Sequence, residues 1–260
     1  MEVRVDGKVA LVTGATQGVG LAIAETLARS GAAALLLTGR DAERGRQAAE
    51  RLSAAGTPAI FEAADLADET APARLIAACL AHFARLDLLA NAAALTDRAG
   101  LLDASLEDWS RLFAVNARAP FFLMQGAVAA MRAGGEGGAI VNILSMNAHC
   151  GSPELAVYSA TKAALALLTR NTANAHRFDR IRVNGINMGW TATPGEMTMQ
   201  AETLGHGPGW LAAASSSQPF GRLLVPQEIA NLAMFLLSDA AGPMTGALID
   251  QEQWVVGANR

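Results

Sequence analysis

Only two cysteines, Cys79 and Cys150, occur in 260 residues, too few and too far apart for a disulfide framework or a four-ligand zinc site. The four histidines, His82, His149, His176 and His206, show no ligand spacing, so no metal is expected. Charge is scarce: 17% of residues are charged, and 20 basic against 24 acidic residues leave −4. There is no long basic run, so nucleic acid and acidic membrane surfaces are not expected partners. No stretch approaches the roughly 18 apolar residues of a membrane span. No basic region with an apolar leader precedes the strand pattern that opens at Lys8. A reducing cytoplasm is the expected setting. Apolar side chains are abundant, at 52% of the chain, which excludes a disordered protein and allows one sizeable core.

Short apolar runs alternate with longer helical patterns. Strands are predicted over 9–13, 33–37, 59–62, 86–90, 139–144, 181–186 and 247–250. Helices are predicted over 19–30, 42–54, 69–84, 106–131, 154–177 and 227–237. Runs such as Leu35-Leu36-Leu37 and Ala139-Ile140-Val141 are apolar without alternation, as parallel strands covered on both faces should be. The expected fold is α/β: a single Rossmann-type, doubly wound domain over 1–260, with a mostly parallel seven-stranded sheet flanked by helices. Ligands in such sheets sit beyond the carboxyl ends of the strands, at the topological switch point. Residues 187–220, rich in Gly, Met, Ser and Thr, lack a strong pattern and read as a substrate lid.

Directly after the first strand comes Thr13-Gly14-Ala15-Thr16-Gln17-Gly18-Val19-Gly20. Glycines here permit a tight turn, close approach of backbone to a pyrophosphate, and close packing of helix on strand. The helix that follows offers free N–H groups to the anion. An ordinary glycine-rich turn has the same composition, but its place between a first strand and its helix points to a dinucleotide.

Tyr158 and Lys162 stand four apart in a helix pattern and share one face. A free tyrosine, with a pKa near 10, is too weak a base at neutral pH, and a lysine ammonium beside it favours the phenolate. Such a pair is common on solvated helix faces. Ser145, closing the fifth strand at the ligand-binding edge, gives it a partner that can hydrogen-bond a substrate oxygen. Asn116 lies in a long helix capped by Ser105 with Asp108 three positions on. Pro120, which has no N–H, deprives the Asn116 carbonyl of its helical partner, leaving it able to hold a water and kink the helix.

The glycine loop, Asn91-Ala92-Ala93, Asn116, Ser145 and Tyr158-x3-Lys162 together resemble the short-chain dehydrogenase/reductase family over essentially the whole chain. The resemblance implies a nicotinamide-dependent oxidoreductase in which Ser145 positions the substrate oxygen and Tyr158 is the acid/base, its phenolate further favoured by an oxidised nicotinamide. Lys162 then holds the nicotinamide ribose and Asn116 completes a proton relay. Gly14, Thr16, Gln17, Gly18, Val19, Gly20, Asn91, Ala92 and Ala93 would line the cofactor. Asp65 and Leu66 would contact adenine, and Gly189, Thr191 and Thr193 the carboxamide and pyrophosphate. The substrate is expected to be a small secondary alcohol, polyol or ketone. A carrier- or coenzyme-linked acyl group, and a cofactor-binding regulator without turnover, are the alternatives.

Three departures from the family pattern stand out: Ala94 for a glycine, Met188-Gly189 for Pro-Gly, and Asp250-Gln251-Glu252 for Asp-Gly-Gly. His149 and Cys150 fall where substrate walls form, and Met197, Met199 and Trp210 are candidates for an apolar lid. At the end of the second strand, Gly39 takes the place of the acidic residue usual in NAD-specific members, and Arg40 follows. NADP is therefore expected over NAD, with NAD still possible, because Arg40 can pair with a 2′-phosphate. Gln17 replaces a second basic residue, and Asp41 is placed to draw Arg40 away. The run Ala163–Leu168, apolar all round, is expected to meet a symmetry mate. The family's habit implies a homo-oligomer, a tetramer or dimer, through this helix and that of Asn116.

Overall fold

β1 (Val9–Thr13) is buried along its whole length, which follows from a run with no polar face. The computed structural model describes residues 3–258; residues 1, 2, 259 and 260 of the expected domain lie outside the described residues. After β1 come α1 (Gly18–Arg29), β2 (Ala34–Gly39), α2 (Ala42–Ala54), β3 (Ala59–Ala63), α3 (Ala71–Phe83) and β4 (Leu88–Asn91). Next are α4 (Leu106–Phe113), α5 (Ala119–Gly134), β5 (Gly138–Ile143), α6 (Ala156–His176) and β6 (Ile181–Met188). The chain closes with α7 (Pro194–Thr198), α8 (Trp210–Ser216), α9 (Pro226–Leu237) and β7 (Leu248–Gln251). The sheet order is β3-β2-β1-β4-β5-β6-β7. Every pairing is parallel, which sharpens the expected "mostly parallel". Strand order reverses between β1 and β4, and the site forms at that crevice.

Two cores explain the unbroken apolar strands. Leu35 and Leu37 join α1, α2 and α9 on one face, whereas Leu36 joins α3, α5 and α6 on the other. Each is fully buried, so truncation such as Leu36→Ala costs about 2–5 kcal/mol.

Element edges shift where side chains take over backbone duties. The fourth strand starts at Leu88, not 86, because the Asp87 carboxylate accepts the Val9 N–H at 2.8 Å. The third helix starts at Ala71 because Asp68 accepts the Thr70 N–H at 2.9 Å in a turn before Pro72. The helix expected over 154–177 opens with a 3₁₀ turn, Pro153–Leu155, before α6. α4 and α5 form one continuous helix broken by the π-turn Ala114–Arg118 and ended by Gly135 at φ +73°. This Leu106–Gly134 helix is long and apolar enough to cross a membrane, but most of its 18-residue apolar window is buried inside the protein. The weakly patterned 187–220 is largely structured: β6 runs to Met188, Thr193 caps α7, the π-turn Met199–Thr203 follows, and α8 completes the segment.

Candidate active site

At the exit of β1 the backbone sets the geometry. Gly14 has φ +65°, and a β-carbon there would stand 2.8 Å from the Ala93 Cα. A β-carbon on Gly20 would stand 2.4 Å from the Gly14 carbonyl oxygen. Both neighbours are main chain and cannot swing away, so these positions require glycine for packing as well as for conformation. The Thr13 hydroxyl accepts the Ala92 and Ala93 N–H groups at 3.0 and 3.1 Å, clamping the β4 exit beside the loop. Together they open one side of a cleft of about 640 Å³.

Into this cleft the structure brings Gly14, Thr16, Gln17, Gly18, Val19, Gly20, Arg40, Asp65, Leu66, Ala92, Ala93, Ser145, Tyr158, Lys162, Gly189, Thr191 and Thr193. Asn91 and Asn116 do not line it. Asn91 is buried and donates to Asn142 Oδ1 at 2.8 Å, tying β4 to β5. Asn116 sits in the π-turn just before Pro120, where Ala119 N donates to the Ala114 carbonyl, one residue further back than in an α-helix. Its side chain brackets Leu95, accepting from N at 2.8 Å and donating to O at 2.9 Å, and also donates to Thr161 Oγ1 at 3.1 Å. Thr161 in turn donates to the Tyr158 carbonyl at 2.6 Å. The asparagine thus locks the wall at Leu95 to the helix that carries the tyrosine.

Lys162 is 2% exposed and donates to the Ile143 carbonyl at 2.8 Å, with its Nζ 5.8 Å from the Tyr158 ring centroid. Burial pulls its pKa down to about 8, so it still carries its proton at pH 7. The expected lowering of the tyrosine's pKa is not found in the protein alone. Burial pushes Tyr158 up to about 12; the Ser145 hydroxyl is the largest opposing influence, Glu196 adds to the rise and Arg98 opposes it. Desolvation of the phenolate outweighs its neighbours, and the residue stands ready as an acid.

The departures are accommodated. Ala94 adopts no positive φ, so a side chain costs nothing there. Met188 lines the cleft and packs on the core beneath it. Glu252 lies against Gly189, where a β-carbon would meet its carboxylate at 2.3 Å. His149 and Cys150 do not line the cleft. His149 Nε2 pairs with Asp250 Oδ1 at 2.9 Å, which also accepts from Asn187 Nδ2 at 2.7 Å, and this ties the loop after Ser145 to β7. Cys150 is exposed. Met197 and Met199 do not face the cleft either, and Trp210 is buried against Trp190, its ring centroid 6.1 Å away. Among the described residues no group of three or more metal-ligating side chains converges.

Asp41 does not hold Arg40. It caps α2, accepting the Arg44 N–H at 3.0 Å and its Nε at 2.5 Å, while Arg44 donates onward to Gln17 Oε1 at 2.6 Å. A second basic residue therefore stands at the glycine loop, supplied from α2. The sequence reading missed it, and likewise Arg98, Trp190, Glu196 and Gln200, which line the cleft or its lid. Glu196 Oε1 accepts from Trp190 Nε1 at 2.8 Å and Gln200 Nε2 at 2.7 Å. The Thr193-x-x-Glu196 spacing, an N-terminal helix signature, was the one available signal.

A family model described as enoyl-(acyl carrier protein) reductase matches residues 14–251. The cis-4-hydroxycyclohexanecarboxylate dehydrogenase of Sinomonas cyclohexanicum is 35% identical over 93% of this chain and 94% of its own length. The sorbitol dehydrogenase of Cereibacter sphaeroides is 33% identical, with 98% of each chain covered. The crystal structure of L-sorbose reductase from Gluconobacter frateurii, complexed with NADPH and L-sorbose, superposes with a TM-score of 0.93 at 30% identity over the full length of both chains. Agreement of this extent in sequence and in fold makes the chain a member of the short-chain dehydrogenase/reductase family.

Proposed function

We propose that the protein transfers a hydride between NADP(H) and a secondary alcohol, polyol or ketone, with Tyr158 as the acid/base. The observation that carries this reading is the convergence of Ser145, Tyr158 and Lys162 with the glycine loop on one cleft. The glycine loop, packed backbone on backbone at Gly14 and Gly20 and leading into the N-terminus of α1 at the cleft, fits a dinucleotide pyrophosphate. When bound, the nicotinamide supplies or accepts the hydride. In reduction, Tyr158 gives its proton to the carbonyl oxygen as the carbon is reduced, and Ser145 donates a hydrogen bond to that oxygen. The Lys162 charge and the Ser145 hydroxyl then hold the phenolate; oxidation returns the alcohol proton to Tyr158. Asn116 serves as a positioning residue and its π-turn as the site of the relay.

Arg40, free of Asp41, and Arg44, anchored on Gln17, support NADP over NAD. Each partly exposed contact to a 2′-phosphate is worth roughly 1–3 kcal/mol, about ten- to hundredfold. Comparing kcat/KM for the two cofactors in wild type and Arg40→Ala tests this; a wild type favouring NAD, or a ratio unmoved by the substitution, rejects it. A homo-oligomer, dimer or tetramer, is proposed through the face where Trp109, Phe113, Phe121, Ala164 and Leu168 form an apolar groove between α4, α5 and α6. Sedimentation at micromolar concentration showing a monomer refutes that. The family model's description favours a carrier-linked acyl substrate, but residues 187–220 contain no Lys or Arg to receive a phosphorylated carrier, which places that reading second.

A further inference from the structure

The chain between β4 and α4 lines the cleft with Leu95, Thr96 and Arg98, and it is pinned from both sides. Asn116 brackets Leu95; Ala99 N donates to the Glu154 carbonyl at 2.9 Å, and Val157 N donates to the Ala99 carbonyl at 3.2 Å. Arg98 sits between these anchors, one residue from a backbone bonded directly to the turn before Tyr158. Its side chain is half-buried and lines the cleft. The guanidinium makes one hydrogen bond, NH1 to the Thr96 carbonyl at 3.0 Å. It has no ion pair among those formed by the described residues. Its charge nonetheless reaches the Tyr158 hydroxyl and favours the phenolate.

A guanidinium offers five N–H donors in a rigid fork, and a half-buried one with a single partner favours an anion. The other cations of the cleft are committed elsewhere: Lys162 to the Ile143 carbonyl, and Arg40 at the glycine-loop end. Carboxylates line the cleft as well: Glu196, held by Trp190 and Gln200 through one oxygen, with Glu154, Glu252 and Asp65. An anion entering the cleft is thus drawn to Arg98 and disfavoured beside these carboxylates. Resting on the oxidoreductase reading above, we propose that the substrate is a hydroxy acid, or its keto acid, whose carboxylate is held by Arg98 while the reacting carbon faces Tyr158.

The test uses pairs that differ only in this charge: 4-oxopentanoate against 4-oxopentanamide, and 3-oxocyclohexanecarboxylate against its carboxamide, each reduced with NADPH. Wild type is expected to favour each acid by about tenfold or more in kcat/KM, as a charge-assisted contact implies. Arg98→Leu should bring the acid-to-amide ratio to about 1, and Arg98→Lys should restore part of it. Equal use of acid and amide by wild type, or a ratio that survives Arg98→Leu, overturns the proposal while leaving hydride transfer intact. Calorimetric titration of the NADP-loaded protein with cyclohexanecarboxylate reads the same contact without turnover. If no ketone is reduced but this acid binds in an Arg98-dependent way, the anion site stands and the oxidoreductase reading falls. Binding that Arg98→Leu leaves unchanged removes the site.

Discussion

Beside the cleft the glycine loop packs main chain on main chain at two positions, whereas around Glu196 the contacts are between side chains. At Gly14 and Gly20 the neighbours within 3 Å of an added β-carbon are backbone atoms. Elsewhere in the cleft, Glu196 on α7 accepts from Trp190, in the bend after β6, and from Gln200 in the π-turn. On the proposed function, the first wall offers one shape to a ligand portion that does not vary, the pyrophosphate. The second sets charge and contour by residue choice, which suits a substrate that differs among enzymes built on the same fold.

The comparison breaks most visibly at Tyr158. Tyr158→Phe should lower kcat by about 10²–10⁴-fold with cofactor affinity kept, because the hydroxyl belongs to the chemical half alone. Near-normal turnover on a good substrate would remove it from the reaction.

Lys162 links the halves, and its burial carries a stability cost. Its pKa of about 8 in the folded chain lies below the usual 10.5, so the unfolded state binds more protons between these values. Wild-type stability should therefore rise with pH from about 8 to 10.5 on this account. Below pH 8 the cost of the buried charge is at its full size, up to about 3 kcal/mol. Lys162→Met should be the more stable protein at pH 7 by denaturant unfolding, with the gap closing above pH 10. A gap independent of pH would contradict the burial of a charged lysine.

On the backbone wall, Gly20→Ala should weaken NADP binding by about tenfold or more, since the carbonyl of Gly14 must move to admit the methyl. Unchanged affinity by fluorescence titration would show that this wall is softer than its packing implies.

The smallest effect is spectroscopic. Tyr158 is the sole tyrosine, so absorbance near that of tyrosinate reports it alone. Without cofactor it should titrate near pH 12, above the usual value of 10, and oxidised NADP should bring the midpoint down. Glu196→Gln should also lower it, because the lid carboxylate disfavours the phenolate. A midpoint indifferent to Glu196→Gln would separate the lid from the acid/base.

The two walls were not equally legible. The strands themselves and the glycine loop could be read from the chain because they rest on local rules: apolar runs make buried strands, and glycines mark places where backbone meets backbone. Pro120 likewise announced the break at Asn116, and the structure supplied its form, a π-turn. Residues 187–220 hid two short helices because Gly and Pro interrupt their periodicity, and capping by Thr193 outweighs that pattern. His149 was placed on a substrate wall by its sequence position, but Asp250, 101 residues away, draws it to β7 instead.

The sequence by itself determined the alternation of strands and helices, the glycine loop at the exit of β1, and the placing of Ser145, Tyr158 and Lys162 on one cleft. Each depends on spacing within a few turns or on a backbone that tolerates no β-carbon. Only the tertiary structure decided which charges face one another. It paired Asp41 with Arg44 rather than Arg40, brought Arg98 and Glu196 to one cleft, and buried Tyr158 deeply enough to raise its pKa where its spacing from Lys162 led to an expected lowering. Electrostatic environment depends on distance and desolvation in three dimensions, and neither is written in the order of the residues.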